Sequence, residues 1–205
     1  MPPRTDAEAD SEARLVERLV AREERAFNAL VCAYERRVFG VLLRMMGSQA
    51  EAEDLSQEVF VQVFKAIGTF RGESKLSTWI YRIAINLCKN RSKYLRIRQA
   101  ASQTEIEAAE EHGAMKEPKG NASAPMARPD DALVGKELER IVQGAILELE
   151  PSFRECLILR DIEDLAYDEI ETITGLPEGT VKSRIHRARA QLRQIVEREL
   201  GEKVT

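Results

Sequence analysis

Apolar residues along this chain recur every three or four positions and almost nowhere alternate, so each segment that can bury a face must bury it as a helix. The expected fold class is all-α. Leu15, Val16, Leu19 and Val20 mark a first helix, and Phe27, Leu30, Val31, Tyr34, Val38, Val41, Leu42 and Met45 mark a second that Gly47 closes. Ser48 with Glu51 reads as a capping box for a third helix, which turns Ala52, Leu55, Val59 and Val63 inward and stops near Gly68. A loop over 70–74 follows, after which Ser77 or Thr78 can cap a fourth helix reaching about Arg98.

Over residues 99–129 the periodicity fades and Ala, Glu, Gly, Pro, Ser and Asn accumulate, the composition of a flexible linker with at most a short helix over 104–111. Asp130 or Asp131 then caps a helix carrying Leu138, Ile141, Val142, Ala145, Ile146 and Leu149, which Pro151 ends. Ser152 with Glu155 suggests a second capping box ahead of Phe153, Cys156, Leu157 and Ile162. The organisation is therefore two small helical domains, 1–98 and 130–205, joined by a tether at 99–129.

Residues 165–192 form the most informative stretch. Ile170, Ile173 and Leu176 make one apolar stripe, and Val181, Ile185, Ala188 and Leu192 make another, so two helices can clamp about the break at Thr174-Gly175-Leu176-Pro177. Lys182, Ser183, Arg184, His186, Arg187 and Arg189 lie off the second stripe near the start of its helix, the end that enters the major groove in helix-turn-helix readers. Residues 179–193 hold five cations and no carboxylate, whereas a merely solvated helix face mixes its signs. Guanidinium groups pair with phosphates and, bidentately, with guanine edges.

A formal net charge of -4 and a pI near 5.5 would argue against a nucleic-acid partner if charge were spread evenly, but it is segregated. Residues 71–98 hold eight cations against Glu73 alone, a net of +7. On the fourth helix Arg82, Asn86, Lys89 and Lys93 recur as an outward stripe, opposite Trp79, Ile80, Ile83, Ala84 and Leu87. Cations there can hold phosphates, the Asn can bond a base edge, and Trp79 and Tyr81 can offer stacking surface to unpaired bases, although Trp79 would serve equally as core. The third helix is opposite in sign. Glu51 and Glu53 suit the dipole of a first turn, whereas Asp54, Gln57 and Glu58 fall later and suit contact with a basic protein partner.

Cys32, Cys88 and Cys156 are isolated and far apart, and only two histidines are present, so buried thiols in a reducing compartment are expected rather than a metal site or a cofactor. The N-terminus lacks the apolar core of a signal peptide, and the best apolar run, 38–46, is short and contains Arg44, so no membrane insertion is expected. Enzyme chemistry finds no phosphate-cradling Gly loop, metal cluster or Ser-His-Asp pattern.

Three motifs, DLSQEVF at 54–60, FRGESKLSTWIYRIA at 70–84 and GTVKSRIHRAR at 179–189, resemble those of extracytoplasmic-function bacterial sigma factors of the sigma-E type. The resemblance spans both domains in order. It implies a cytoplasmic, non-enzymatic subunit that binds core RNA polymerase and directs it to promoters. Asp54, Gln57 and Glu58 would dock on the β′ clamp helices, and the second domain would meet the β flap. Residues 75–90, among them Lys75, Ser77, Thr78, Trp79, Tyr81, Arg82, Asn86 and Lys89, would melt and read the -10 element, with a flipped base held near 77–79. Lys182, Ser183, Arg184, His186 and Arg187 would read the -35 element. Members of the class are usually held by an anti-sigma factor, often membrane-bound. A freestanding helix-turn-helix activator is the alternative, and it leaves the acidic third helix and the aromatic-basic fourth helix unexplained. Because non-specific DNA binding would sequester such a factor, its basic surfaces are expected to be covered when free, either by the acidic 131–171 face or by an inhibitor.

Overall fold

Helical periodicity becomes eight α-helices among the described residues, 6–109 and 131–204, of the computed structural model. The first lobe comprises α1 (Asp6–Val20), α2 (Glu24–Met46), α3 (Gln49–Ala66) and α4 (Leu76–Ala109). The second comprises α5 (Asp131–Glu148), α6 (Pro151–Leu157), α7 (Tyr167–Thr174) and α8 (Glu178–Val204). No strand occurs among the described residues.

The apolar stripes read from spacing are the ones that pack. Leu30, Val38, Val41 and Leu42 of α2, Leu55, Val59 and Val63 of α3, and Ile80 and Ala84 of α4 are all essentially inaccessible to solvent. Each such aliphatic side chain contributes about 1.5–3 kcal/mol by leaving water. Gly47 ends α2 in the left-handed region at φ 73°, its N–H donating to the Leu43 carbonyl at 2.8 Å. In the second lobe Ile170 and Ile173 of α7 clamp against Val181, Ile185 and Ala188 of α8 around Gly175, also at φ 73°. Pro177 sits one residue before α8, and its carbonyl accepts from Val181 N–H at 3.0 Å.

Several caps differ from expectation. Ser48 Oγ accepts from Glu51 N–H, but the Glu51 carboxylate turns to Arg91 on α4, 2.7 Å away, instead of closing the box. The fourth helix starts at Leu76, two residues earlier than a Ser77 cap allows and three earlier than a Thr78 cap, because Glu12 of α1 reaches across and accepts the Leu76 N–H at 3.1 Å. That helix also runs on to Ala109, since 99–109 is rich in good helix formers and holds no Gly or Pro. The rest of the expected linker, with Asp130, lies outside the described residues. At α6 the cap is Glu150, which accepts from Ser152 N–H at 3.2 Å, and Glu155 is not part of a box at all. Cys32 is exposed on the outer side of α2, while burial pushes the Cys88 thiol up to about 12 and Cys156 up to about 11.

The two lobes share one continuous core, with α2 and α4 meeting α5, α6 and α7. Leu147 seats against Gly47, where a Cβ would come within 2.7 Å of Leu147 Cδ1. Arg154 of α6 staples the junction by donating to the carbonyls of Ile146 at 3.0 Å, Leu149 at 3.0 Å and Leu147 in its own lobe, and to Met45 at 2.8 Å in the other. One guanidinium thus satisfies open carbonyls at the C-terminal ends of both α5 and α2. Replacing it should strand several half-buried acceptors. Arg154→Met is expected to cost about 2–4 kcal/mol in urea unfolding of the full chain; a loss below about 1 kcal/mol would mean that water replaces the guanidinium without penalty.

Candidate nucleic-acid interface

Two cationic helical surfaces exist, and the structure treats them differently. On α8 the buried stripe turns Lys182, Ser183, His186 and Arg187 outward to solvent, as its spacing requires. Arg187 and His186 make no ion pair among the described residues. Lys182 pairs with Glu178 one turn back and lies 5.2 Å from the Tyr167 ring centroid, which aligns it along the helix start. Ser183 Oγ donates to the Thr180 carbonyl at 2.9 Å. Arg189 is engaged by Asp161 through Nε at 2.9 Å. Arg184 departs from the outward set, being half-buried on the side of Glu150 and Glu155.

On α4 the expected face is split. Arg82, Asn86 and Lys93 are exposed, whereas Lys75, Thr78, Tyr81 and Lys89 meet acids of the second lobe. Lys75 Nζ lies 2.9 Å from Glu169 Oε1, which also accepts from Thr78 Oγ1 at 3.2 Å. Lys89 Nζ approaches Glu155 Oε1 at 2.8 Å. Tyr81, expected as stacking surface, is instead wholly buried, because its hydroxyl donates to Glu163 and Arg37 of α2 lies over its ring at 5.9 Å. Arg37 Nε in turn reaches Glu163 at 3.1 Å. Trp79 is half-buried, tilted against Phe70 with centroids 5.5 Å apart, and Ser77 beside it is likewise half-buried.

The three acids are held differently. Burial would raise the Glu169 carboxyl, but the N–H of Ala166 at 2.9 Å, Lys75 and Thr78 outweigh it and hold the group below the usual carboxylate range. Burial wins at Glu155, which is raised because Lys89 and Arg184 only partly offset it. Burial and the Glu163 carboxylate push the Tyr81 phenol up, so it stays a donor. Glu163 is presented by a π turn at Ile158–Ile162, whose widened geometry sends the Glu163 N–H to the Ile158 carbonyl at 3.1 Å.

A third surface is acidic. Glu53, Asp54 and Gln57 project from α3 beside Glu35, Arg36 and Phe39 of α2, and Glu35, Arg36, Phe39, Glu53 and Gln57 line a shallow groove of about 380 Å³. Glu58 stands at the edge of this face, half-buried and 3.6 Å from Arg91. The α2 side of the groove was not singled out from sequence, although Glu35 and Phe39 stand one turn apart there.

Both lobes match known protein families. Residues 30–100 match the family model of sigma-70 region 2, and residues 139–192 match that of sigma-70 region 4. The chain is 37% identical to the RNA polymerase sigma-H factor of Pseudomonas aeruginosa over 88% of its own length and 91% of the relative's. It is 37% identical to the ECF RNA polymerase sigma-E factor of Haemophilus influenzae, covering 91% and 95%. Its fold is similar to CnrH, solved with the cytosolic domain of CnrY, at a TM-score of 0.64 and 20% identity, covering 91% of this chain and 97% of that one. It is also similar to the sigma factor RpoE of Bartonella quintana, solved with the anti-sigma factor NepR, at a TM-score of 0.59 and 20% identity, covering 83% and 96%. With both sigma regions matched in order and near full-length likeness to named sigma factors, this chain belongs to the ECF family of RNA polymerase sigma factors, the group that includes sigma-E.

Proposed function

We propose that this sigma factor divides its work among the three surfaces, the first lobe (1–98) gripping polymerase and opened -10 DNA and the second (130–205) reading the -35 element. The observation that carries this reading is the placement of two cationic helix faces on separate lobes, with the acidic groove on α2 and α3, apart from both faces. The α3 face of Asp54, Gln57 and Glu58, with Glu35 and Phe39 alongside, suits the basic helical surface expected of the β′ clamp, where charge sets on-rate and orientation and the aromatic ring supplies contact. The second lobe meets the β flap in the same assembly.

At and along α4, Lys75, Arg82 and Lys89 hold phosphates, Ser77, Thr78 and Asn86 offer hydrogen bonds, and Trp79 receives unstacked bases. A base extruded from the duplex would sit near 77–79, where the half-buried indole provides one wall. On α8, Arg187 and Lys182 reach base edges in the major groove while Ser183, Arg184 and His186 position the helix. No bond is made or broken by the protein. It lowers the free energy of the opened promoter by binding that state better than the closed duplex.

The protein acts in the cytoplasm, and among the described residues no helix is long and apolar enough to cross a membrane. An anti-sigma factor is its expected inhibitor, as family resemblance implies and as the Bartonella quintana fold relative has. Run-off transcription with core polymerase on sheared genomic DNA tests the function. Start sites preceded by two shared elements are expected, and initiation no better than with core enzyme alone would reject it.

Asp54→Ala combined with Gln57→Ala should weaken association with core polymerase while leaving duplex binding by the second lobe unchanged; equal loss of both would refute the division of labour. Arg187→Ala or Lys182→Ala should each cost about 1–3 kcal/mol in -35-dependent initiation if the side chain contacts a base. Wild-type initiation from a cognate promoter would remove those residues from the reading set.

A further inference from the structure

Arg189 continues a line of exposed residues on α8. Lys182, His186 and Arg189 stand at i, i+4 and i+7, so the Arg189 side chain leaves the helix about 10 Å beyond Lys182 on the same line, where a helix seated in a groove passes the flanking phosphates. By residue type it is a phosphate ligand. The structure gives it an acid instead. Its Nε donates to Asp161 Oδ2 at 2.9 Å and its Nη2 to Asp161 Oδ1, so the fork edge that grips a phosphate is filled by a carboxylate of the same lobe.

The acid is the better fixed partner. Asp161 lies within the π turn Ile158–Ile162, and its side chain is 31% exposed against 54% for Arg189. Arg160 beside it is drawn to the Leu165 carbonyl at 2.7 Å and to Asp164 at 3.6 Å, and it lies 5.1 Å from the Tyr167 ring centroid, which leaves the Asp161 carboxylate to Arg189. The Lys182 pair is of another kind. Glu178 is on the same helix one turn back and moves with it, whereas Asp161 reaches Arg189 from a separate element 28 positions away.

We propose that Asp161 is a positioning residue for duplex binding: it holds Arg189 off the phosphate backbone, so α8 meets DNA with one cation fewer than its sequence offers. This rests on the assignment of α8 to duplex DNA. An exposed ion pair adds little to stability, and the effect falls on binding instead. Sequence-independent attraction scales with the number of phosphates a protein neutralises, and a guanidinium neutralised by its own carboxylate neutralises none. A phosphate gains Arg189 only by displacing Asp161 or by standing beside its charge, and both oppose the gain. The pair thus holds down the part of the affinity that carries no sequence information, while Lys182 and Arg187 keep theirs.

The test measures binding of the full chain to a fluorescein-labelled 25-base-pair duplex of random sequence across a salt series. Asp161→Asn keeps the shape of the side chain and removes its charge, which should steepen the slope of log affinity against log salt by about 0.9, the increment of one added phosphate contact. Arg189→Ala alone should leave the wild-type slope in place, and in the double variant the gain from Asp161→Asn should vanish. A slope flattened by about 0.9 in Arg189→Ala would show that Arg189 already holds a phosphate, and would overturn the proposal even if Asp161→Asn failed to fold. An unchanged slope in Asp161→Asn overturns it as well. So does a gain that persists without Arg189, because that is the general effect of losing one negative charge. A second duplex, carrying the -35 element mapped by run-off transcription, separates this failure from that of the underlying assignment. If Arg187→Ala reduces the preference for that duplex while Asp161→Asn changes nothing, the Asp161 proposal alone falls; if the wild-type chain binds both duplexes equally and Arg187→Ala changes neither, α8 is not the reader and the proposal falls with it.

Discussion

Three carboxylates withdrawn from water between two lobes set the constraint on which the molecule's arrangement depends. A buried charge survives only where it is paired and bonded, and Glu155, Glu163 and Glu169 each find a cationic partner across the seam. Glu169 is the most completely served, since it also accepts the Ala166 N–H that opens α7. The same residue thus starts the first helix of the DNA reader and closes the neighbouring lobe.

The rest of the architecture keeps the three surfaces distinct. The α2 and α3 stripes bury against α4, which leaves Asp54 and Gln57 on one side of the first lobe and the α4 cations on another. Gly175 turns α7 into α8, so the stripe of Val181, Ile185 and Ala188 faces inward and Arg187 faces out. Between the lobes Arg154 and the Leu147–Gly47 packing form a junction that is structural, separate from the ionic seam that meets the reading face.

Periodicity made the helices legible because each apolar stripe is a local property: α2's stripe, its Gly47 stop and the two stripes about Gly175 can be read within a window of one helix. Caps were less legible. Ser152 with Glu155 carries a capping-box pattern, but three-residue spacing cannot say that a cation 66 positions away, Lys89, will claim the carboxylate first. Glu12, which starts α4, is equally remote, with 64 positions between it and Leu76. The α8 face was read from its charge and spacing, whereas Tyr81 was misplaced because an aromatic with a polar tip can serve a core or a surface. The general covering of cations by the 131–171 acids was foreseeable from charge segregation. Which acids do it was not, since Glu163 depends on a π turn whose sequence, Ile158 through Ile162, carries no distinguishing signal.

A photo-crosslinking amino acid in place of Lys75 measures the central claim directly, because that position touches Glu169 of the second lobe in this structure and is the one proposed to meet promoter DNA in the active assembly. In the free protein it should capture α7 near Glu169, and in an initiation complex with core polymerase it should capture the opened strand at the -10 element with the α7 product lost. Persistence of the α7 product in the initiation complex, or absence of that product in the free chain, would contradict the account.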